Sequence, residues 1–274
     1  GAVQFASLFG GSLMLIIAGA VAQKASSNAA AVYAMGWTII ALMPITVLAA
    51  MLLVREQPRP PQPHLTLRQT LATLAQNRLA QRVLLPDLIL GFSQGISGGL
   101  FLFYFQSVLG FTHSSQSLLA VYFISGLLGV PIWWFIARRF GKHQALKGNF
   151  LYTASTTVGL LLLPAQNMTL AVPFMVLAGI CQGGASLLTR SLMADVVDDD
   201  EVRTGARRSG VYFGILLTTS KIGVALGPIT YIALQIAGFN PHEGAQNTEL
   251  ALNTLSALFI GGPVLLCILG AISL

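Results

Sequence analysis

Apolar runs of about 20 residues recur along the whole of this chain, and most charged residues are confined to the short stretches between them. A run of that length matches a hydrocarbon layer about 30 Å thick, where a helix can satisfy its own backbone N–H and C=O groups. Eight segments can be drawn, at 5–22, 31–54, 84–108, 115–137, 145–163, 170–197, 210–237 and 251–274. With 54% hydrophobic residues, 9% charged residues and a mean hydropathy of +0.74, an ordinary soluble domain is excluded. The fold class is an all-α membrane protein. Cys181 and Cys267 lie inside apolar runs and read as small hydrophobes, not a disulfide.

Eight crossings place the loops alternately on two sides. Arg55, Arg59, Arg68, Arg78, Arg82, Arg138, Arg139, Lys142, Arg203, Arg207 and Arg208 fall on one side, with Lys147 just inside the next helix; the other side has Lys24 alone. This bias marks the first side as cytoplasmic. The net charge of +6 therefore follows membrane topology and does not indicate nucleic acid. No signal-peptide pattern is present. With no initiating Met and an apolar run almost from the first residue, the chain is expected to be a piece of a longer polypeptide.

The cytoplasmic loop 55–83 divides the chain. It opens with the Pro-rich REQPRPPQPH, which cannot stay helical for long. It continues as LTLRQTLATLAQNRLAQR, whose Leu65, Leu67, Leu71, Leu74 and Leu79 predict a short amphipathic helix on the membrane surface. Residues 1–54 then read as the last two helices of an N-terminal bundle, 55–83 as a linker and 84–274 as a C-terminal six-helix bundle. That is helices five to twelve of a twelve-helix transporter plan, with the earlier helices of the same polypeptide as partners. A short internal repeat agrees: Gly91-Phe-Ser-Gln94-Gly95 matches Gly179-Ile-Cys-Gln182-Gly183 three helices later.

Lys221 stands about eleven residues into its segment, roughly 17 Å along the axis and near the membrane midplane. A cation there costs at least about 2.5 kcal/mol unless it faces a cavity or a partner. Gly210, Gly214, Thr218, Ala225 and Pro228 share its face. A substrate or ion-coupling role is expected, against the alternative of a static ion pair buried in the bundle. Asp87, the acid within another helix, lies about three residues from the cytoplasmic end of its segment and is too shallow to be the mate. Arg190 could snorkel or meet Asp87 across the bundle. Asp195 and Arg207 lie close to helix ends and could close the cytoplasmic side. Asp198, Asp199, Asp200 and Glu201 read as a solvated loop facing Arg203, Arg207 and Arg208. Gln94, Ser97 and Phe101 share one face of the third segment, with Tyr104 a turn further on; Gln182, Ser186 and Thr189 share one face of the sixth. These amides and hydroxyls could bind a polyhydroxylated solute, or could bond neighbouring helices for about 0.6 kcal/mol each. No HExxH motif, intramembrane His, paired membrane carboxylates or GxxxxGK[ST] occurs, so neither an intramembrane hydrolase nor an ATP-driven pump is expected.

The stretch MADVVDDDEVRTGARRSG followed by SKIGVALG resembles the signature of the glycoside–pentoside–hexuronide:cation symporters, the melibiose-permease family of the major facilitator superfamily. FASLFGG, the QNR of the linker, FYFQSVLG and ARRFGKH are similar to further stretches of that family. The resemblance implies alternating access, with a solute bound between two six-helix halves and driven by Na⁺ or H⁺ in a multi-pass protein of the bacterial inner (plasma) membrane. It places Lys221 near the sugar and cation sites and makes Asp195 and Arg207 an inter-helix ionic lock. The family's cation-binding acids lie on helices two and four, outside this sequence, so no metal ligand is expected here and no cofactor beyond the coupling ion. The usual Arg-Arg-Glu-Gly reads Arg207-Arg208-Ser209-Gly210. Leu216 and Leu217 replace polar sugar contacts, Ser186 replaces an aromatic residue, and the arginine near the start of helix five has no counterpart. These departures weigh against a melibiose-like sugar. A related branch carries lysophospholipids with Na⁺, which a more apolar cavity would suit. The expectation is cation-coupled symport of a sugar or glycoside, with a lysolipid carrier or a non-transport membrane scaffold as alternatives.

Overall fold

The structure, a computed structural model, describes residues 28–53, 77–112, 114–205, 208–242 and 245–274, together with Gly10. The first apolar segment, almost all of the linker with its amphipathic helix, and Arg207 lie outside the described residues. Nine α-helices and no strand occur among the described residues. They are α1 (Asn28–Leu53), α2 (Arg78–Phe103), α3 (Ser115–Phe140), α4 (Lys142–Gly159), α5 (Met168–Thr204), α6 (Ser209–Leu226), α7 (Ile229–Ile236), α8 (Glu249–Ser256) and α9 (Gly262–Ser273). Wider π turns continue α2 over Tyr104–Val108 and join α8 to α9 over Ala257–Gly261. Among the described residues, five helical stretches are long and apolar enough to cross a membrane: Arg78–Val108, Ser115–Phe140, Met168–Thr204, Ser209–Ile236 and Glu249–Ser273. On α1, apolar side chains such as Trp37, Ile40 and Met43 are exposed.

Three boundaries differ from the hydropathy reading, each for a local reason. Asn77 accepts from the backbone N–H groups of Leu79 and Ala80, both at 3.1 Å, and starts α2 at Arg78. Asp87 therefore lies nine residues inside its helix and not three. α5 runs past 197 to Thr204, where Gly205 takes the left-handed conformation (φ 67°) that ends helices. The acids after Asp195 thus continue a helix and do not form a loop, with Asp199 and Arg203 paired at 2.9 Å one turn apart. The segment at 210–237 is interrupted at Gly227-Pro228. Pro228 has no N–H to give, and the Gly227 N–H bonds instead to the Val224 carbonyl three residues back at 3.0 Å.

Helix α4 is more polar than the five apolar stretches, and most of its polar side chains are hydrogen-bonded inside the bundle, Asn149 Oδ1 being the exception. Asn149 is fully buried and donates to the Cys181 carbonyl at 3.0 Å. The hydroxyls of Thr153, Thr156 and Thr157 bond to carbonyls in the preceding turn.

Two glycine seams organise the packing. The closest helix pairs are α3 with α5 and α2 with α6, while α9 lies against α2 and α4. On α2, a Cβ added at Gly91 would stand 2.5 Å from the Ser220 carbonyl oxygen of α6. On α5, one added at Gly183 would stand 2.9 Å from the Val130 nitrogen of α3. Small residues let the backbones meet, the arrangement that suits helices whose apolar surfaces gain nothing by leaving lipid. The repeat read in the sequence has matching geometry in both copies, since Gly91 and Gly95 face α6 as Gly179 and Gly183 face α3. Beyond the seams an aromatic cluster fills the bundle. Phe101 stacks on Phe105 with centroids 4.3 Å apart, and Tyr104 stacks on Phe259 at 4.5 Å.

Candidate functional site

A cavity of about 280 Å³ lies inside the bundle, between α2, α3, α4 and α5 and the π turn before α9. Gln94 and Gln182, the glutamines of the two repeat copies, both line it. The spacing explains this. A glutamine three residues after the first seam glycine and one before the second sits at the edge of the seam, turned to the space beside it. Ser97 and Phe101 also line the cavity, as does Ser93. The Tyr122 hydroxyl donates to the Gln182 side-chain carbonyl at 3.3 Å, leaving the Gln182 amide N–H groups available. The Gln94 side chain makes no hydrogen bond among the described residues and offers both donors and its acceptor. Phe101, Phe105 and Phe259 gather at one end, with ring centroids 4.3 to 6.4 Å apart. Among the described residues, no Asp, Glu, Lys, Arg or His lines the cavity.

Tyr122, Thr153, Thr156 and Thr157 also line this space and were missed in the sequence. A signal existed: three threonines at i, i+3 and i+4 in segment 145–163 mark one helix face. Ser186 and Thr189 are not at the cavity. The Thr189 hydroxyl is buried and donates weakly to the Ser186 carbonyl at 3.5 Å. Tyr104 is buried under Phe259.

Lys221 is exposed, on one face of α6 with Gly210, Gly214, Thr218, Ala225 and Pro228. The seam glycines Gly223 and Gly227 come two and six residues later, about 200° and 240° around the helix, so they turn Lys221 away from α2. It makes no ion pair or hydrogen bond among the described residues. The Thr218 hydroxyl is turned back onto the Gly214 carbonyl at 2.9 Å.

Near the start of α4 and the end of α5 the Lys142 ammonium meets Asp195 at 2.5 Å and also donates to the Ser191 carbonyl at 3.3 Å. The sequence reading had counted Lys142 as a loop cation only. Arg208 approaches the buried Asp200 at 4.0 Å. The Lys142–Asp195 pair is 37% and 55% exposed, so Asp195→Asn is expected to cost less than about 1 kcal/mol of stability. The thermal midpoint of the purified whole polypeptide checks this; a large drop would show a structural pair. Among the described residues, no three His, Cys, Asp or Glu side chains group to hold a metal ion.

A family model described as MFS/sugar transport protein matches residues 1–274. The sodium-dependent lysophosphatidylcholine symporter 1 of Homo sapiens is 31% identical over 179 residues, covering 63% of this chain and 32% of that protein. A sphingosine-1-phosphate transporter of Xenopus tropicalis is 27% identical over 159 residues, covering 57% of this chain and 30% of its own length. An uncharacterized symporter of Synechocystis sp. is 26% identical over 156 residues, 53% of this chain and 29% of its own. The matched regions span about a third of the length of these curated relatives.

Proposed function

Because this chain belongs to the MFS/sugar transport protein family, we propose that it is the later part of a cation-coupled carrier of an amphiphile with a polar neck and an apolar tail, a lysolipid being the type. The observation that carries this reading is the composition of the cavity. Phenylalanine rings gather at one end, amides and hydroxyls are set among aliphatic side chains such as Leu90, Leu119 and Met175, and among the described residues no charged side chain lines the wall. An apolar pocket with a few placed polar groups suits a ligand of mixed character. In this reading Gln94, Gln182 and Tyr122 orient the neck, while Phe101, Phe105 and Phe259 pack the tail. Lys221, with Thr218 beside it, serves an anionic group or the coupling ion on the face of α6 turned away from α2. Asp195, with Lys142 and Arg207, belongs to the inner gate.

The names of the sodium-dependent lysophosphatidylcholine symporter and the sphingosine-1-phosphate transporter support an amphiphile, and the first supports Na⁺ as the coupling ion. A sugar is the second reading, favoured by the amides and hydroxyls alone. The test is uptake by the whole polypeptide in proteoliposomes of labelled lysophosphatidylcholine and of a glycoside, with and without a Na⁺ or proton gradient. Na⁺-dependent uptake of the lysolipid is expected. Uptake of the glycoside alone would replace the amphiphile with a sugar, and uptake of neither under any gradient would overturn the carrier assignment.

A further inference from the structure

The geometry points to a proton-binding site at Asp87, built inside the bundle from α2 and α5 and separate from both the cavity and Lys221. Asp87 is 7% exposed, and one oxygen of its carboxyl, Oδ2, is buried with no hydrogen-bond partner among the described residues. Its position nine residues into α2 puts it roughly 14 Å along the helix axis from the first residue, with the side chain turned into the bundle. A buried carboxylate in that position needs either a counter-charge or a proton.

The polar side chains nearest the Asp87 carboxyl are the Thr189 hydroxyl, whose proton goes to the Ser186 carbonyl in this structure, and the Arg190 guanidinium, both from α5. Arg190 is near enough to act through its field, yet it forms no ion pair with Asp87 within 4.0 Å. Among the described residues, the other elements packed on α2 supply no second counter-charge. From α6, Tyr212 accepts from the Asn77 amide at 3.0 Å, and Lys221 is turned away. From α9, the Cys267 thiol lies 3.9 Å from the Ser93 hydroxyl. On α2 itself, Arg82 is exposed. Two arrangements can satisfy the carboxyl: a proton on Oδ2 with Arg190 apart, or an ionised Asp87 drawn onto Arg190. The first matches the separation in this structure, and the exchange between them binds or releases one proton. Because Arg190 and Asp195 ride the same helix five residues apart, the exchange acts on the element that also carries the cytoplasmic pair with Lys142.

The proposal needs no solute and does not depend on the carrier reading, so the two fail separately. Difference infrared spectra of the whole polypeptide in lipid, stepped from mildly acidic to mildly alkaline pH, read the carbonyl stretch of a protonated carboxyl directly. A band that titrates in the wild type and is lost in Asp87→Asn is the expected result. Thr189→Val and Arg190→Gln keep the carboxyl and serve if Asp87→Asn does not fold; in each the band is expected to persist with a shifted frequency or midpoint. Identical spectra for wild type and Asp87→Asn would overturn the proposal. A wild-type band that does not titrate, or one unmoved in both Thr189→Val and Arg190→Gln, would do the same.

Discussion

Lys221→Ala is expected to leave the protein folded while cutting ion-dependent uptake by about 10- to 100-fold. The size follows from one lost contact to a charged partner, about 1.5–3 kcal/mol. Folding is expected to survive because Lys221 is exposed, has no partner among the described residues and stands opposite the glycine seam that holds α6 to α2. The two readings of this lysine separate cleanly. A structural cation would show as a lower thermal midpoint of the purified variant with uptake reduced only in proportion to folded protein. A working cation shows as lost coupling at an unchanged midpoint, with partial recovery in Lys221→Arg, which restores charge but not shape. Uptake unchanged in Lys221→Ala would remove this residue from the mechanism.

Gly183→Leu is expected to do the reverse, destabilising the bundle by about 3 kcal/mol or more before any transport can be measured. A Cβ at this position meets the Gly126 carbonyl oxygen and the Val130 nitrogen of α3. Both are backbone atoms within a helix, so no side chain can swing aside, and α3 and α5 would have to separate along their whole contact. Gly214→Ala is the control: that glycine is also on a membrane helix, but an added Cβ meets nothing within 4 Å. Thermal unfolding in detergent should show a large loss for Gly183→Leu and little change for Gly214→Ala. Equal stability of the two variants would mean that the α3–α5 seam is looser than the structure has it.

The helical, membrane-spanning character of the chain was legible because hydropathy is a summed property of many residues. The repeat was legible too, although its meaning was not. Glycine in G-x-x-Q-G reads as close packing, but only the helix pairs show that the glycines take the seam and the glutamines the cavity. For Lys221, a lone cation in an apolar run says how costly burial would be, not which way the side chain turns, and the structure shows it exposed. The threonines of α4 escaped notice since their segment is a weaker apolar run, and hydroxyls that bond back to their own helix look like ordinary helix residues. Asp87 was counted three residues from its helix end and not nine because a capping residue, Asn77, starts that helix six residues before the apolar run begins.

The interruption at Gly227-Pro228 divides one crossing into two levers clipped to a common rail. Below the break, Gly227 lies against Gly95 of α2; above it, the Tyr231 hydroxyl donates to the Gly99 carbonyl, one turn further along the same helix, at 3.2 Å. Missing backbone bonds at a proline make a joint, and the two clips limit how far it can open. The longer lever carries Lys221, the shorter one packs Tyr231 edge-on against Phe103 at 6.3 Å. A tilt at one end of this crossing therefore need not reach the other as rotation, since each lever is held to α2 by its own contact.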